Sequence, residues 1–176
     1  MERQINSTEA FRGRLVAVRV DDVELEAGRR TQREVVEHPG AVAIVPVLES
    51  GEIVLVRQFR YAIGRALLEL PAGTREPHEA AEHTAARELR EETGHTARYW
   101  ELLTRFFVSP GWCTEELIVY RARELTVVGA SLEEDEQVEA VTVRPSEILG
   151  LMRDGEIADA KTVTGLLLHL QGSGSH

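Results

Sequence analysis

The sequence predicts a mixed α/β protein in which helices pack against a β-sheet. Strand-like segments come first, one helix follows, and further strands precede two more helices, an order typical of mixed α/β sandwiches. The chain has 176 residues, 43% hydrophobic and 28% charged, which suits one globular domain with a hydrophobic core. Neither an internal repeat nor a linker divides it, so we expect one domain over residues 1–171. Within it, residues 1 to about 40 would form a small N-terminal antiparallel sheet, and residues 172–176 a flexible tail.

Period-two alternation and short apolar runs predict the strands. The run GAVAIVPVLES at 40–50 is nearly continuous in apolar residues, which indicates a strand buried on both faces. Ser50-Gly51 separates this run from the next, and such a pair is a hairpin signal. We predict strands within residues 14–28, ending at a turn at Gly28, and within 31–38, 40–50, 52–60, 66–73, 98–108, 115–127 and 138–145.

Three segments are predicted to be helical. The first runs from about Pro77 to Thr93, because proline suits the first helical position and Gly94 provides a left-handed stop. The second begins at about Pro145 and ends at Gly155, and the third covers residues 159–171.

Charge and composition exclude several classes of protein. The net charge is −10 without a long basic run, so we expect no binding to nucleic acid through a basic face. No apolar run approaches the roughly 18 residues of a membrane span, and the N-terminus lacks the apolar core of a signal peptide. Cys113 is the only cysteine, so a cytoplasmic location without an internal disulfide is expected. Nearly all positive charge is arginine, whose planar group suits small phosphates.

Three carboxylates crowd the last turns of the first predicted helix. Glu88, Glu91 and Glu92 fall within an arc of about 100° on a helix, at the end where the helix dipole disfavours negative charge. Without neighbouring lysines, they form a hard-oxygen site that would hold Mg²⁺ or Mn²⁺ and not zinc. A divalent ion would offset both the repulsion and the dipole. The alternative is a solvated helix face with an Arg87–Glu91 ion pair at i,i+4.

The acidic residues belong to a longer pattern of fixed spacing. It runs Gly73, five residues, Glu79, seven residues, Arg87-Glu88-Leu89, one residue, Glu91-Glu92, one residue, Gly94. The pattern matches Gx5Ex7REUxEExGU, where U is a bulky apolar residue, and the chain thereby resembles a Nudix hydrolase. The resemblance covers essentially the whole chain and implies the Nudix fold, an α/β/α sandwich around a mixed β-sheet. His95 departs from the final apolar position, which we expect to affect packing behind the helix and not metal binding.

The resemblance implies hydrolysis of a nucleoside diphosphate linked to another group, with Mg²⁺ or Mn²⁺ as cofactor. Glu88 and Glu92 would be the main metal ligands, Glu91 would assist or orient water, and the Ala72 carbonyl would be a further ligand. The remaining positions of the motif would have structural roles; they are Gly73, Glu79, Arg87 and Gly94. Arg87 would pair with Glu79 or Glu91 and hold the helix and the loop in shape.

Four stretches outside the motif resemble ADP-ribose pyrophosphatases: VEHPGAV, VRQFR, FVSPGWCTEE with Pro110, and EEDEQVEAV. Cys113 stands where diadenosine-polyphosphate hydrolases carry a tyrosine. The resemblance therefore implies cleavage of ADP-ribose to AMP and ribose 5-phosphate. In this subfamily the catalytic base tends to come from the late loop, where Glu134 and Glu136 are both candidates.

The same subfamily implies substrate contacts and a partner. Arg60, with Arg57 nearby, matches a phosphate-binding arginine, and its structural alternative is a surface salt bridge. Glu115 would contact ribose hydroxyls, and Trp112 would stack on the base or ribose, although an isolated tryptophan more often serves packing. Enzymes of this subfamily are commonly homodimers with exchanged N-terminal sheets, so Arg33 would reach the nucleotide site of the partner subunit.

Two alternatives stay open. The first is a Nudix hydrolase of another nucleoside diphosphate derivative, such as GDP-mannose, NADH, FAD or an oxidised nucleotide, since nothing in the sequence reads the base. The second is a nucleotide-sensing module without catalysis. Such modules typically lose motif glutamates, and this chain keeps all of them.

Overall fold

The computed structural model describes residues 1–129 and 138–173. The chain divides into two compact units. The first unit comprises Met1–Gly40 and Phe106–Glu116, and the second comprises Ala41–Arg105 and the chain from Leu117 onward. The extent of the single domain predicted over residues 1–171 stays a prediction.

The first unit contains a three-stranded antiparallel sheet. Strands β1 (Arg3–Arg12), β2 (Ala17–Glu24) and β3 (Arg30–Glu37) lie in the order β1-β2-β3. The predicted turn at Gly28 is present, with Gly28 at φ +76°. Strand β1 was not predicted, because its sequence is polar and all its residues are exposed. Its backbone ladder with β2 holds it in place, and no buried apolar face reveals it in the sequence.

In the described residues, the second unit contains two sheets and three helices. One sheet is mixed, in the order β7-β4-β9-β8, with β4 parallel to β9 and antiparallel to β7, and the other is antiparallel, in the order β10-β5-β6. The strands are β4 (Ala41–Pro46), β5 (Ile53–Arg60), β6 (Arg65–Glu69), β7 (Ala72–Thr74), β8 (His95–Phe107), β9 (Glu116–Val127) and β10 (Val138–Val143), and the helices are α1 (Ala81–Thr93), α2 (Ile148–Arg153) and α3 (Ala160–Ser173).

The core of the second unit joins helix α1 to the mixed sheet. Ala85 and Leu89 of α1 pack on β4 and β9 in one buried cluster, which includes Val42, Ile44, Ile118, Tyr120 and Ala122. Every residue of β4 is buried, which confirms the strand predicted to be buried on both faces. The acidic end of α1 is thereby fixed to the sheet through its apolar side.

Two local predictions are corrected. The turn at Ser50-Gly51 forms, with Gly51 at φ +84°. The bridge Val47–Ile53 and the hydrogen bond from the Leu48 N–H to the Glu52 carbonyl at 2.9 Å join the two sides of this turn. However, β4 and β5 then enter different sheets, so this is not a hairpin of one sheet. Helix α1 begins at Ala81 and not at Pro77, because His78 adopts φ +69° in a turn before it.

The other two helices and the stop of α1 are confirmed. Gly94 ends α1 in the left-handed conformation, at φ +70°, and its N–H bonds the Arg90 carbonyl. A 3₁₀ turn at Pro145–Glu147 leads into α2, and α3 covers the third predicted segment. None of the helices in the described part of the chain is long and apolar enough to cross a membrane.

Candidate active site

The acidic end of α1 meets strand β7, which lies between β6 and the helix. The backbone N–H of Ala72 donates to Glu92 Oε2 at 2.9 Å. The carboxylate of Glu88 lies against Gly73, where an added Cβ would stand 1.9 Å from Glu88 Oε1. Both Glu88 and Glu92 are buried, which is unusual for a carboxylate unless it is paired or binds a cation. Gly73 is therefore required because the Glu88 carboxylate fills the space of a side chain.

Arg87 ties the motif together. Its Nη1 donates to Glu88 Oε1 at 2.6 Å and to Glu91 Oε2 at 3.1 Å. Its Nε and Nη2 each donate to the Glu79 carboxylate at 3.4 Å. The predicted pairing of Arg87 with Glu79 or Glu91 is thus confirmed for both. Burial opposes the charged form of Arg87, but the hydrogen bonds and charges of its carboxylate partners outweigh it and raise its pKa.

Glu79 fixes the loop before α1. Its carboxylate accepts hydrogen bonds from Thr84 Oγ1 at 2.8 Å and from the N–H of Glu76 at 3.3 Å. Burial raises the pKa of Glu79, but hydrogen bonds from Arg87 and Thr84 outweigh this effect and hold it below its usual range. Glu79 is therefore ionised at neutral pH and serves the shape of the loop.

The donor chemistry fits a hard divalent cation. Glu88, Glu91 and Glu92 supply carboxylate oxygens, which Mg²⁺ and Mn²⁺ prefer. In the described part of the chain, no three acidic, histidine or cysteine side chains are already arranged to hold a metal ion. The cation that bridges Glu88 and Glu91 here is the guanidinium of Arg87. The metal site, including the Ala72 carbonyl, stays a prediction.

Arg60 belongs to a second charged cluster of the same unit. Its Nε and Nη2 donate to the two oxygens of Glu69 at 2.8 and 2.6 Å. Lys161 also donates to Glu69, and to Asp159 Oδ1 at 2.9 Å. Arg57 bonds Glu156 at 3.1 Å instead. Arg60 thus forms a salt bridge, the alternative to phosphate binding that the sequence left open, and its partner Glu69 is buried.

Glu69 and Lys161 were missed by the sequence prediction. Glu69 interrupts the apolar run LLEL, and Lys161 is the only lysine among the chain's 20 Lys and Arg residues. Glu69 is a usable signal, because a charged residue in a buried strand needs a partner of opposite charge.

The other predicted substrate contacts lie in the first unit. Arg33 pairs with Glu2, with its Nη2 at 2.6 Å from Oε1. Pro110 and Trp112 lie in a turn closed by the N–H of Cys113 on the Ser109 carbonyl at 2.9 Å. Trp112 is 55% exposed, and its stacking on the base or ribose stays a prediction. That segment bonds β3, with the N–H of Val36 donating to the Trp112 carbonyl at 2.8 Å.

Four further predicted residues have different outcomes. Glu115 Oε1 lies 3.9 Å from His38 Nδ1, and its ribose contact stays a prediction. His95 Nδ1 lies 2.8 Å from the Thr93 carbonyl oxygen. Glu134 and Glu136 lie outside the described residues. The structure therefore brings together the motif residues 72–92 within the second unit, while Arg33, Pro110, Trp112 and Glu115 belong to the first unit.

Comparisons with known proteins agree with this geometry. The family model described as the NUDIX domain matches residues 37–165. The chain is 43% identical to an ADP-ribose pyrophosphatase of Bacillus subtilis (strain 168), over 92% of this chain and 88% of that protein. It is 39% identical to a methanol dehydrogenase activator of Bacillus methanolicus, over 99% and 96%.

A solved structure is also similar. The crystal structure of an ADP compounds hydrolase superposes with a TM-score of 0.87 at 25% identity, covering 99% of this chain and 97% of that one. This likeness confirms the predicted α/β sandwich. The residues matched by the family model include helix α1 and its buried carboxylates, Glu88 and Glu92. The chain belongs to the Nudix family of hydrolases.

Proposed function

We propose that this chain hydrolyses the pyrophosphate bond of ADP-ribose to AMP and ribose 5-phosphate, with Mg²⁺ as the preferred metal and Mn²⁺ as a substitute. The observation that carries the proposal is the pair of buried carboxylates, Glu88 and Glu92, fixed against Gly73 and the Ala72 N–H. The identity of 43% to a relative named ADP-ribose pyrophosphatase supports the choice of substrate.

Nudix hydrolases generally use divalent metal ions. Glu88, Glu91, Glu92 and the Ala72 carbonyl would hold the ions in this chain. A bound divalent ion offsets the charge of the diphosphate and polarises the phosphorus towards attack. Arg87 would keep the carboxylates in register through its bonds to Glu79, Glu88 and Glu91.

The chain's own residues would bind the substrate, orient the attacking water and accept its proton. Arg60 would hold a phosphate and Trp112 would stack on the base or ribose. Water would attack one phosphorus, its proton passing to Glu134 or Glu136. The new bond joins the water oxygen to phosphorus, and the bridging P–O bond breaks with the bridging oxygen leaving on the other phosphate. Glu91 would orient that water, and Glu115 would contact ribose hydroxyls.

We further propose a homodimer formed through the N-terminal sheet, with Arg33 serving the site of the partner subunit. All ten residues of β1 are exposed, including Phe11 and Ile5, and exposed edge strands readily pair with another chain. The single cysteine suits a reducing cytoplasm, where the enzyme would work. Light scattering during size-exclusion chromatography measures the oligomeric state, and a monomer at micromolar concentration would contradict the dimer.

A substrate panel tests the proposed function. ADP-ribose, GDP-mannose, NADH, FAD and an oxidised nucleotide are each incubated with Mg²⁺, and the products are separated by chromatography. We expect the highest kcat/KM on ADP-ribose. Faster cleavage of another substrate would preserve the chemistry and overturn the substrate. Binding of ADP-ribose without turnover would favour the sensing module instead.

The relative named methanol dehydrogenase activator supports a second candidate, action on a dehydrogenase. To test this second candidate, the chain and Mg²⁺ are added to a methanol dehydrogenase and the rate of alcohol oxidation is measured. An increased oxidation rate that is lost in the Glu92→Gln variant would support this candidate, and an unchanged rate would reject it.

A further inference from the structure

Lys161 is largely buried, unlike an ordinary surface lysine. It is the only lysine among 20 Lys and Arg residues, and its side chain is 13% exposed in the first turn of α3. Its ammonium donates to Glu69 and, at 2.9 Å, to Asp159 Oδ1. Since removing an ammonium from water is costly without partners, these two carboxylates account for its place in the fold.

Glu69 links Lys161 to Arg60. The Glu69 side chain is 1% exposed and accepts from both residues, with Lys161 and Arg60 Nη2 sharing Oε2. Burial raises the pKa of Glu69, but the hydrogen bonds of Arg60 and the charge of Lys161 outweigh burial and lower it. The carboxylate is therefore ionised and held from two sides, by a strand and by a helix.

A neighbouring hydrogen bond adds a second contact between helix α3 and the segment that carries Glu69. Thr162 Oγ1 accepts from the N–H of Leu70 at 2.9 Å, so two consecutive residues of α3 bond the last residue of β6 and the residue that follows it. Asp159 Oδ1 in turn accepts from the N–H of Thr162 at 3.1 Å. Loss of the Lys161 ammonium would leave Glu69 with Arg60 as its remaining cation among these partners, and the Arg60–Glu69 pair would be free to shift.

The Arg60 side chain is held by Glu69 and is still partly exposed, so a ligand can reach it. Its side chain is 40% exposed, and its two bonds to Glu69 use Nε and Nη2, which leaves Nη1 outside this pair. The hydrogen bonds to Glu69 raise the pKa of Arg60 against burial, and the charge of Glu92 acts in the same direction. The guanidinium is thus within electrostatic range of a motif carboxylate, where a diphosphate would lie.

We infer that Lys161 is a positioning residue for diphosphate binding: it holds Glu69, and through Glu69 it holds Arg60 in the orientation that binds a phosphate. This inference rests on the proposed function, in which Arg60 contacts the substrate. Lys161 acts through Glu69 and Arg60 and not by contact with the reacting atoms.

The single lysine provides a direct test in the intact protein. Lysine labelled with ¹³C at Cε and ¹⁵N at Nζ gives one side-chain signal, because Lys161 is the only lysine. Titration with inorganic pyrophosphate and Mg²⁺ should shift this signal in the wild-type protein and not in Arg60→Met. A signal that stays unchanged while calorimetry shows saturation with pyrophosphate would overturn the inference.

Kinetics supply an independent readout. Lys161→Met should raise KM for ADP-ribose about tenfold while kcat changes less than about threefold, the scale expected for one coupled pair. Lys161→Arg, which retains the charge, should recover most of the loss. In the Arg60→Met background, Lys161→Met should add nothing, and an undiminished effect there would refute action through Arg60.

A matched control separates this role from general stability. Arg144→Met removes another cation that pairs with a carboxylate, Glu147, at the start of α2, and should leave KM unchanged. If wild-type protein fails to cleave ADP-ribose, the proposed function falls, yet the pyrophosphate titration still decides the inference. If the enzyme is active but the lysine signal does not shift with pyrophosphate, the inference about Lys161 is overturned and the proposed function stands. If Lys161→Met does not fold, the titration of wild-type protein still gives the decision.

Discussion

Replacing Gly73 by alanine should remove most of the activity without unfolding the chain. A Cβ at this position would stand 1.9 Å from Glu88 Oε1 and 2.0 Å from Cδ, where ordinary contact begins at 3.4 Å, so the carboxylate must retreat by about 1.5 Å. A misplacement of about 1 Å costs roughly 10²-fold in rate. We therefore expect kcat/KM on ADP-ribose to fall about 10²-fold or more, which corresponds to about 2.7 kcal/mol of transition-state stabilisation.

The fold should tolerate this change. Gly73 does not need a left-handed backbone, so the cost is the crowding of Glu88, which is about 1–3 kcal/mol for overpacking. Thermal unfolding and circular dichroism measure that cost beside the kinetic assay.

Gly150→Ala is the matched control for Gly73→Ala. Gly150 lies in α2, and an added Cβ there meets no atom within 4 Å. Its activity should equal that of the wild-type protein, and its stability should rise slightly, because alanine favours a helix over glycine. A folded Gly73→Ala protein with wild-type kcat/KM would refute the placement of Glu88 as the carboxylate that Gly73 accommodates.

Three further predictions concern the motif, the exposed tryptophan and a surface ion pair. Glu92→Gln keeps an acceptor for the Ala72 N–H but removes the negative charge. Chromatography of the products should therefore detect no turnover of ADP-ribose, while the melting temperature stays near the wild-type value. Trp112→Ala should raise KM by the loss of about 1–3 kcal/mol of base stacking and change the free energy of unfolding by less than about 0.5 kcal/mol, as kinetics and urea unfolding measure. Hydrogen bonds from Arg144 lower the pKa of Glu147 from 4.5 to about 2. Because the folded pKa lies below the unfolded one, this pair stabilises the fold above pH 4.5 and is lost as pH falls towards 2; Arg144→Met should flatten the urea-unfolding free energy over that range.

The motif was predictable because it depends on local spacing. Glu88, Glu91 and Glu92 share one side of α1, and Gly94 ends the helix where the sequence predicts. The helix start was not predictable from Pro77, since the side chain of Glu79 organises the preceding turn through Thr84 and Arg87. Such a contact joins residues on different turns and leaves no periodic signal.

Long-range pairing accounts for most of the other differences. The strand β1 has a polar, fully exposed sequence, so its ladder with β2 gives no hydrophobic pattern to read. The cluster of Glu69 and Lys161 joins residues far apart in the chain, and only the fold brings them together. The sequence could identify each as an unusual charge but could not name its partner.

The most direct test of the central claim is hydrolysis of ADP-ribose by the intact chain, with Mg²⁺ present and after chelation. We expect equal amounts of AMP and ribose 5-phosphate with Mg²⁺, and no product after chelation or in the Glu92→Gln protein. Absence of turnover by folded wild-type protein with Mg²⁺ or Mn²⁺, or full turnover by Glu92→Gln, would contradict it.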